Sequence, residues 1–543
     1  MIYNPMTMHF ATVWEHIARA VPDQIAIAHG PVQRTWSDYE DRAARIATAL
    51  TDAGLGHNSK VAILLHNSNE YLEVQFGTMK MRACPVNVNY RYLASELLYL
   101  LDNADAEAVF FQACYADRIH QIRDQLPQVK LLVQIDDGTG EPFAGVEDYE
   151  TLIAGNAPMA PVERADDDLY MLYTGGTTGM PKGVMYNNGE MCRFLMAGYG
   201  IRGLPVPETP AEVAAAVRQL HEQRLAPRSL VACPLMHGTG MWIGGMTPHN
   251  LGGTVCTIPN LKFDPDVLWD TVESVRATDL TIVGDAFARP MLRALENAEM
   301  MGRPWDISSL KLIVSSGVMW TAETKQGLLR FGDMTLFDAM GSTEGSMGSS
   351  VTTRDSLNRT AGFAMNETTR VFTEDGRLVT PGSGEIGMIA AGGNVPVGYY
   401  KDPEKSARTF RTIDGQRYSF PGDYARVEAD GSITLLGRGS MCINTAGEKV
   451  FPEEVEESIK RIPGIEDALV VGVPDERFGE RVWAVVALHP NEQVTEDQIQ
   501  SHCRSELAGY KLPRGIVMVP QVRRAANGKP DYQWARDTAL AAL

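Results

Sequence analysis

The stretch Tyr173–Val184, YTGGTTGMPKGV, places four glycines, three threonines and one lysine in twelve residues. Glycine weakens helices and strands, so this density predicts a loop whose backbone comes close to a ligand. Successive backbone amides can form an anion-binding site, to which the threonine hydroxyls and Lys182 add hydrogen-bond donors. The pattern favours a nucleoside triphosphate but lacks the Walker A spacing, since Pro181 precedes Lys182 and Gly183 follows it. On these residues alone, a glycine-rich turn without a ligand remains the alternative.

Short apolar runs surround this stretch and alternate with helical patterns over most of the chain. The run DLYMLY leads directly into the glycine stretch, and KVAILL, DAEAVFF and DLTIVG are further predicted strands. Between them, WSDYEDRAARIATALTDAG has the spacing of an amphipathic helix, with Ser37 as its expected amino-terminal cap and Gly54 at its end. This alternation predicts an α/β fold with mainly parallel sheets.

The pattern changes beyond Gly384, where hairpin-like turns such as Asp430-Gly431 predict antiparallel strands. Further on, FPEEVEESIKRIPGI has the spacing of an amphipathic helix and is followed by two strands and a helix, which suits a small α+β domain. We therefore predict two domains, residues 1–438 and residues 439–543.

The composition of the chain indicates which kinds of partner and which cellular location to expect. The chain has 543 residues, enough for more than one hydrophobic core. Its formal net charge of −19 has the wrong sign for a nucleic-acid-binding surface, so we expect no nucleic-acid partner. The seven cysteines are scattered without a C-x-x-C pair, and no apolar run reaches the roughly 20 residues of a membrane-spanning helix. We therefore expect a cytoplasmic protein without a transmembrane segment.

The glycine stretch and several later segments resemble, in the same order, the motifs of the adenylate-forming superfamily. That superfamily includes acyl-CoA synthetases, luciferases and the adenylation domains of peptide synthetases. The later segments are PLMHGTG (234–240), FDAMGSTEG (337–345), GEIGMIAAGGNVPVGYYKDPEKS (384–406), FPGDYARV, GRGSMCINTAGEKVFPEEVEE and ANGKPDYQWAR. The resemblance covers essentially the whole chain and looks closest to bacterial synthetases for fatty acids and steroid side chains. It implies ATP and acyl sites in the first domain and a mobile second domain.

The resemblance also implies the site residues. The implied catalytic residues are Lys529, Thr177, Glu344 and His237, with Glu344 also the implied Mg²⁺ ligand. In TAGEKV, Gly447 and Lys449 are expected beside the pantetheine tunnel of CoA. The implied nucleotide-binding residues are Thr174, Gly175, Gly176, Thr177, Thr178, Gly179, Lys182, Ser316, Gly317, Val318, Asp338, Met340, Gly341, Ser342, Thr343, Asp423, Arg438 and Lys529.

Elementary chemistry gives several of these assignments a reason. A carboxylate at Glu344 can hold Mg²⁺ against a triphosphate, because hard oxygen ligands suit Mg²⁺. Asp423, which follows a Pro-Gly pair, can accept hydrogen bonds from two ribose hydroxyls. Arg438 is expected to reach the ribose or a phosphate, and Lys529 to bridge the carboxylate and the α-phosphate. Each assignment has a structural alternative without a ligand. Glu344 would then be a solvated surface glutamate and Asp423 a turn aspartate. Arg438 would be a surface arginine and Lys529 an exposed lysine of the tail.

Gly176 stands where the family's phosphate loop usually has serine, and two further departures from the family pattern matter more. Met340 stands where the family has a tyrosine stacked on adenine, and a methionine covers a ring by dispersion without flat stacking. Ser440 falls at the hinge position, which in the family is aspartate or lysine, so the pivot residue stays open between Ser440 and Gly439.

We therefore expect an ATP-dependent acyl-CoA synthetase that uses ATP, Mg²⁺ and coenzyme A. The expected substrate is a hydrophobic carboxylic acid, of medium or long chain or bulky and ring-bearing. The stretch His237–Gly253 supports this, since it mixes apolar residues with glycines and contains no lysine or arginine. The residues expected to shape an apolar channel are Trp242, Ile243, Gly244, Gly245 and Met246.

Other functions share these motifs. An aryl-acid CoA ligase or a luciferase-like oxygenase would carry the same residues. A peptide-synthetase module is disfavoured, because only residues 530–543 follow Lys529. A non-catalytic nucleotide-binding protein is disfavoured by the joint presence of Lys182, Glu344, Asp423 and Lys529. A homodimer is a further expectation, and the sequence leaves the exact acid open.

Overall fold

The computed structural model describes residues 7–176, 179–356, 360–445, 448–475, 479–525 and 528–543. The helices are α1 (Phe10–Ala20), α2 (Trp36–Asp52), α3 (Asn69–Lys80), α4 (Ala94–Asn103), α5 (Ala116–Ile122), α6 (Tyr149–Gly155), α7 (Asn188–Leu195), α8 (Ala197–Ile201), α9 (Pro210–Glu222), α10 (Thr247–Asn250), α11 (Pro265–Val275), α12 (Gly284–Met300), α13 (Ala322–Phe331), α14 (Pro403–Thr409), α15 (Pro452–Lys460), α16 (Glu496–Glu506) and α17 (Tyr532–Ala541). A π-helix, Thr239–Met246, precedes α10.

The strands fall into two parts of the chain. Those before Arg438 are β1 (Ile25–His29), β2 (Val32–Thr35), β3 (Lys60–Leu64), β4 (Cys84–Asn87), β5 (Ala106–Gln112), β6 (Leu131–Ile135), β7 (Glu147–Asp148), β8 (Leu169–Gly176), β9 (Gly179–Asn187), β10 (Arg228–Val231), β11 (Thr254–Thr257), β12 (Asp279–Ile282), β13 (Leu312–Ser316), β14 (Thr335–Ser342), β15 (Gly345–Thr352), β16 (Gly362–Met365), β17 (Arg370–Phe372), β18 (Ile386–Ala390), β19 (Gly398–Tyr399), β20 (Phe410–Ile413), β21 (Gln416–Ser419), β22 (Asp423–Val427) and β23 (Ile433–Arg438). The later strands are β24 (Ile443–Thr445), β25 (Glu448–Val450), β26 (Ile465–Asp475), β27 (Gly479–Leu488) and β28 (Gly515–Val519).

One large sheet forms the centre of the first part, in the order β17-β18-β22-β23-β16-β15-β14-β13-β12-β10-β11-β1-β2. The run from β14 to β1 is parallel, whereas β15, β16, β23 and β22 join it antiparallel. Because ligands of open α/β sheets bind beyond the carboxyl ends of parallel strands, the segments that follow β10, β12, β13 and β14 are the natural place for a site.

Three smaller sheets complete the first part, and one of them is the antiparallel pair β20-β21. The sheet β4-β3-β5-β6-β7 is parallel throughout, and the sheet β19-β9-β8 is antiparallel. Helices such as α2 and α3 pack against these layers with fully buried aromatic side chains, among them Trp36, Tyr39 and Phe76. The predicted fold class, α/β with a large domain of mainly parallel sheets, is confirmed.

Helix α2 begins two residues earlier than the sequence pattern predicts. Thr35, rather than Ser37, is the amino-terminal cap: its side chain accepts a hydrogen bond from the Asp38 amide, and Asp38 accepts one from the Thr35 amide. This reciprocal arrangement satisfies two amides that the helix itself cannot pair. Gly54 follows the helix with a φ of 79°, the left-handed conformation that glycine adopts without strain.

The last part of the chain is a separate sheet with helices on both faces. Strand β23 ends at Arg438, a short turn spans Gly439–Met441, and β24 begins at Ile443. Along β26, Val470 packs on the face covered by α15 and α16, while Leu469 and Val471 pack on the face covered by α17. The predicted boundary after residue 438 falls at this turn and stays a prediction. In the described part of the chain, no helix is long and apolar enough to cross a membrane.

Candidate active site

The glycine stretch forms a β-hairpin rather than the predicted loop. Thr174 of β8 pairs with Lys182 of β9, and Gly176 pairs with Gly179 across an irregular register. A Cβ atom at Gly183 would lie 2.5 Å from the sulfur of Met171, so a larger residue there would displace that side chain. The strands therefore carry the glycines to the hairpin end, whose residues Thr177 and Thr178 lie outside the described residues.

The base of this hairpin is anchored by a residue that the sequence analysis did not single out. Asn87, at the end of β4, accepts a hydrogen bond from the Tyr173 amide at 2.6 Å and donates to the Tyr173 carbonyl at 2.8 Å. The same side-chain amide donates to the Met236 carbonyl at 2.6 Å, next to His237. Asn87 thus joins the glycine hairpin to the segment that contains His237 by hydrogen bonds to both.

Lys182 and Glu344 form the charged centre of the site, together with Tyr399. Lys182 Nζ lies 3.0 Å from Glu344 Oε1 and donates to the Tyr399 hydroxyl at 2.8 Å. That hydroxyl donates to the same Glu344 oxygen at 2.9 Å. Burial lowers the pKa of Lys182, against the pull of Glu344, whereas the charge of Lys182 holds the pKa of Glu344 below its usual value despite burial. The pair is therefore ionised and mutually neutralised.

The turn between β14 and β15 presents Glu344 at the carboxyl edge of the large sheet. The Glu344 amide donates to Ser342 Oγ at 3.1 Å, and the Tyr186 hydroxyl donates to the Thr343 carbonyl at 2.9 Å. These bonds tie the turn to the glycine hairpin through β9. Ser342, Thr343 and Glu344 all line one large cavity.

Asp423 and Arg438 face each other across the pair β22–β23, with Arg438 Nε 3.4 Å from Asp423 Oδ1. Asp423 is buried, and its Oδ2 atom has no hydrogen-bond partner among the described residues. Burial raises the pKa of Asp423, while Arg438 opposes that rise. An acceptor that is buried without a donor is costly, so this oxygen suits a ligand hydroxyl.

The predicted adenine wall lies along the same cavity. Ser316, Gly317 and Val318 line it, and Gly317 has a φ of 93°, which favours glycine. Met340 is buried at a register shift of β14, where its side chain joins a hydrophobic cluster. Asp338 lines the cavity with its carboxylate held by Lys325 Nζ at 2.9 Å, and burial raises its pKa to about 6.

Lys529 is close enough to His237 to act on it electrostatically, although 292 residues separate the two in sequence. Both line the cavity. Burial, and then the positive charges of Lys529 and Arg91, lower the pKa of His237 to about 3. Burial, followed by Arg438, lowers the pKa of Lys529, while the charges of Glu344 and Asp423 oppose this. His237 is therefore neutral, and Lys529 stands within the electrostatic reach of the predicted nucleotide-binding residues.

The second part of the chain also closes the cavity near the predicted hinge. Glu453, in the first turn of α15, packs against Gly437, where a Cβ atom would lie 2.1 Å from Glu453 Oε2. Burial, and then the charge of Glu456, raise the pKa of Glu453. Gly447 lies outside the described residues, and the structure describes the Lys449 and Ser440 backbone without their side chains.

The cavity has a volume of about 1420 Å³ and continues from the charged centre along one face of the large sheet. Trp242 and Ile243 line it, as expected. The predictions for three neighbours are wrong: among the described lining residues, Gly244, Gly245 and Met246 are absent. Gly244 instead packs on β10 and β12, where a Cβ atom would lie 2.8 Å from Val231, and Met246 is buried in the core.

Arginines also line the cavity. They lie outside the stretch His237–Gly253, on which the expectation of a cation-free channel is based. Arg202 follows α8 and is paired with Asp279 of β12. Arg289 pairs with Asp285 at 2.9 Å, and Arg293 with Glu466 at 3.2 Å. Each arginine that we name here is thus paired with a carboxylate.

Comparisons with known proteins agree with this geometry. The family model described as AMP-binding enzyme matches residues 14–400, and the model of its C-terminal domain matches residues 454–529.

The chain belongs to the AMP-binding enzyme family. It is 41% identical to the 3-oxocholest-4-en-26-oate–CoA ligase of Rhodococcus rhodochrous, over 98% of this chain and 96% of that protein. It is 39% identical to the medium/long-chain-fatty-acid–CoA/3-oxocholest-4-en-26-oate–CoA ligase of Mycolicibacterium smegmatis, with the same coverage. These relatives confirm the predicted family and the predicted enzyme class, an acyl-CoA synthetase.

A solved structure shows that the fold is shared more widely. The anthranilate CoA ligase AuaEII, determined in complex with anthranoyl-AMP, superposes with a TM-score of 0.84. The two chains are 21% identical, with 99% of each covered.

Proposed function

We propose that this family member activates a hydrophobic monocarboxylic acid, either of medium or long chain or bulky and ring-bearing, with ATP and transfers the acyl group to coenzyme A. The observation that carries the proposal is one continuous cavity. Lys182, Glu344, Asp423 and Lys529 line it, and so do large apolar side chains such as Trp242. The acids in the names of the two relatives, a 3-oxo steroid acid and medium- to long-chain fatty acids, support this substrate class.

In the proposed first step, a carboxylate oxygen of the acid attacks the α-phosphorus of ATP, and the bond to pyrophosphate breaks. Positioning and charge stabilisation dominate such a reaction. Lys182 and the hairpin amides would hold the β- and γ-phosphates, and Asp423 would accept hydrogen bonds from the ribose. Lys529 would bridge the acid and the α-phosphate. His237, which is neutral, would adjoin the acid without adding a second positive charge.

Glu344 is the residue that would hold Mg²⁺. In the described part of the chain, no group of three or more histidine, cysteine, aspartate or glutamate side chains could hold a metal ion. One carboxylate still fits Mg²⁺, because this ion is commonly held by one or two carboxylates with substrate phosphates and water as the other ligands. When bound, Mg²⁺ would neutralise charge on the triphosphate.

In the proposed second step, the thiol of CoA loses its proton and attacks the adenylate carbonyl, and AMP leaves. We propose that the second domain rotates about the turn Gly439–Met441 between the steps, which would withdraw Lys529 and bring the segment Thr445–Val450 beside the pantetheine tunnel of CoA. The two-sided packing of the second domain supports movement as one body. A cytoplasmic location and a homodimer stay predictions.

A panel of carboxylic acids scored by CoA-dependent AMP formation tests the proposal. The panel holds acetate, a medium- and a long-chain fatty acid, benzoate and a steroid side-chain acid. We expect kcat/KM to rise from acetate upward, because each buried methylene contributes up to about 0.8 kcal/mol. The variant Lys529→Ala, purified in parallel, excludes contaminating synthetases. Highest activity on acetate or on benzoate would contradict the substrate class, and no AMP with any acid would contradict the activity.

A further inference from the structure

An ion pair lies inside the acyl end of the cavity, on a side far from the nucleotide residues. Asp279 is 7% exposed, and Arg202 contacts it from the loop after α8. Both side chains line the cavity. Neither residue belongs to the motifs that carry the resemblance to the family.

Strand β12 runs from this pair toward the end of the cavity where the carboxylate of the acid is expected. Side chains alternate along a strand, and Asp279, Thr281 and Val283 line the cavity while Leu280 and Ile282 are buried behind them. Asp279 is the first residue of β12, at the opposite edge of the sheet from His237. Along a strand, Asp279 and Val283 are about 13 Å apart. An acid whose carboxylate lies beside His237 would therefore extend along the sheet toward the pair.

The pair retains hydrogen-bond donors that a ligand could use. A guanidinium has five N–H groups. In the described part of the chain, Arg202 donates to the Gly198 carbonyl at 3.2 Å and to Asp279. A second Asp279 oxygen accepts from the Thr278 hydroxyl at 2.5 Å. Arg202 therefore has more N–H groups than its contacts with Gly198 and Asp279 use, and it lines the cavity together with Asp279, whose charge opposes a second negative charge.

We propose that the Arg202–Asp279 pair is a specificity site that binds a neutral hydrogen-bond acceptor, such as a keto oxygen, at the end of the acid remote from its carboxylate. The inference rests on the proposed function. A channel that is apolar throughout would select acids by length alone, whereas this pair would select among acids of one length. A second carboxylate at that end would be disfavoured by Asp279.

Matched pairs of acids test the inference. Each straight-chain acid in a series of increasing length is compared with the same-length acid that carries an oxo group at its penultimate carbon. At the length that reaches the pair, we expect kcat/KM of the wild type to favour the oxo acid about tenfold, through KM rather than kcat. In the double variant Arg202→Met/Asp279→Leu the preference should fall to about one, and Arg202→Lys should restore part of it.

The matched control is Arg82→Met. Arg82 contacts the buried Asp168 at 2.6 Å, as Arg202 contacts Asp279, but lies outside the described cavity lining. This variant should keep the wild-type preference. The inference is overturned if the wild type shows no preference for the oxo acid at any length. It is also overturned if the double variant keeps that preference, or if the double variant loses activity on both acids of each pair to the same extent. Absence of AMP formation with every acid would instead refute the proposed function.

Discussion

The substitution Asp423→Asn tests the ribose site most directly. Arg438 faces Asp423 Oδ1, but Oδ2 is buried without a donor among the described residues, so the ribose hydroxyls would meet a charged acceptor with one oxygen unoccupied. Asparagine keeps the shape and removes the charge. A hydrogen bond to a charged group contributes roughly 1.5–3 kcal/mol and a neutral one about 1 kcal/mol. The difference is about 0.5–2 kcal/mol per bond, so for two bonds we expect kcat/KM for ATP to fall by about 5- to 700-fold.

Deoxy analogues of ATP separate this effect from a general loss of structure. The wild type should discriminate against 2′-deoxy-ATP and 3′-deoxy-ATP, and Asp423→Asn should discriminate less, in pyrophosphate-release assays at limiting nucleotide. Because burial raises the pKa of Asp423, the wild-type carboxylate takes up a proton as pH falls through that pKa. The gap between wild type and variant should therefore shrink at acidic pH.

The control is Asp168→Asn, which neutralises another buried aspartate. Asp168 is paired with Arg82 and lies outside the described cavity lining, so this variant should melt at a lower temperature and keep the wild-type preference for ATP. If Asp423→Asn loses the same factor on ATP and on both deoxy analogues, Asp423 does not contact the ribose and the reasoning fails.

Three further changes have expected outcomes. Glu344→Gln should lower the rate by about 100-fold or more and weaken its dependence on Mg²⁺ concentration, as when one charge-stabilising group is lost, and an unchanged Mg²⁺ titration would exclude Glu344 as the ligand. Lys529→Ala should abolish pyrophosphate release yet still convert a supplied acyl-adenylate to its thioester, and equal loss of both half-reactions would contradict the division of labour. Glu453→Gln should raise the melting temperature at about pH 8, and should raise it less near pH 5. Because the pKa of Glu453 is raised by folding, the folded protein binds more protons than the unfolded chain between these pH values. The stability of the wild type therefore falls as pH rises through this range, whereas glutamine cannot lose a proton. A melting difference that is constant with pH would show that Glu453 is not protonated in the folded protein.

The sequence predicted the residues of the charged centre but not how they are held. Lys182 and Glu344 stand in motifs whose residue types report their chemistry. Tyr399, which bonds both, lies in the quoted segment 384–406, where a pair of tyrosines after glycine was the available signal. Asn87 contacts Tyr173 across 86 positions in sequence, and no local pattern encodes that contact.

The acyl end was harder to predict because it is built from distant segments. The stretch His237–Gly253 was the visible part, and its π-helix turns Gly244 toward the sheet rather than toward the cavity. Arg202 and Asp279 are 77 residues apart, on a helix end and a strand start. The glycine stretch was wrongly predicted as a loop, because glycine content argues against strands while the register with β9 is set by buried neighbours such as Met171 and Val184.

The ion pair between Lys182 and Glu344 also bears on which anions can enter. An incoming phosphate alone would have to take Lys182 from its partner and leave Glu344 as an uncompensated buried charge, which is strongly unfavourable. Under the proposed function, a triphosphate that brings a cation would exchange both partners at once, since the phosphate would meet the lysine while the cation would meet the carboxylate. We therefore expect the site to discriminate by charge: separating the pair would disfavour free phosphate or a metal-free nucleotide relative to a ligand that carries both signs of charge.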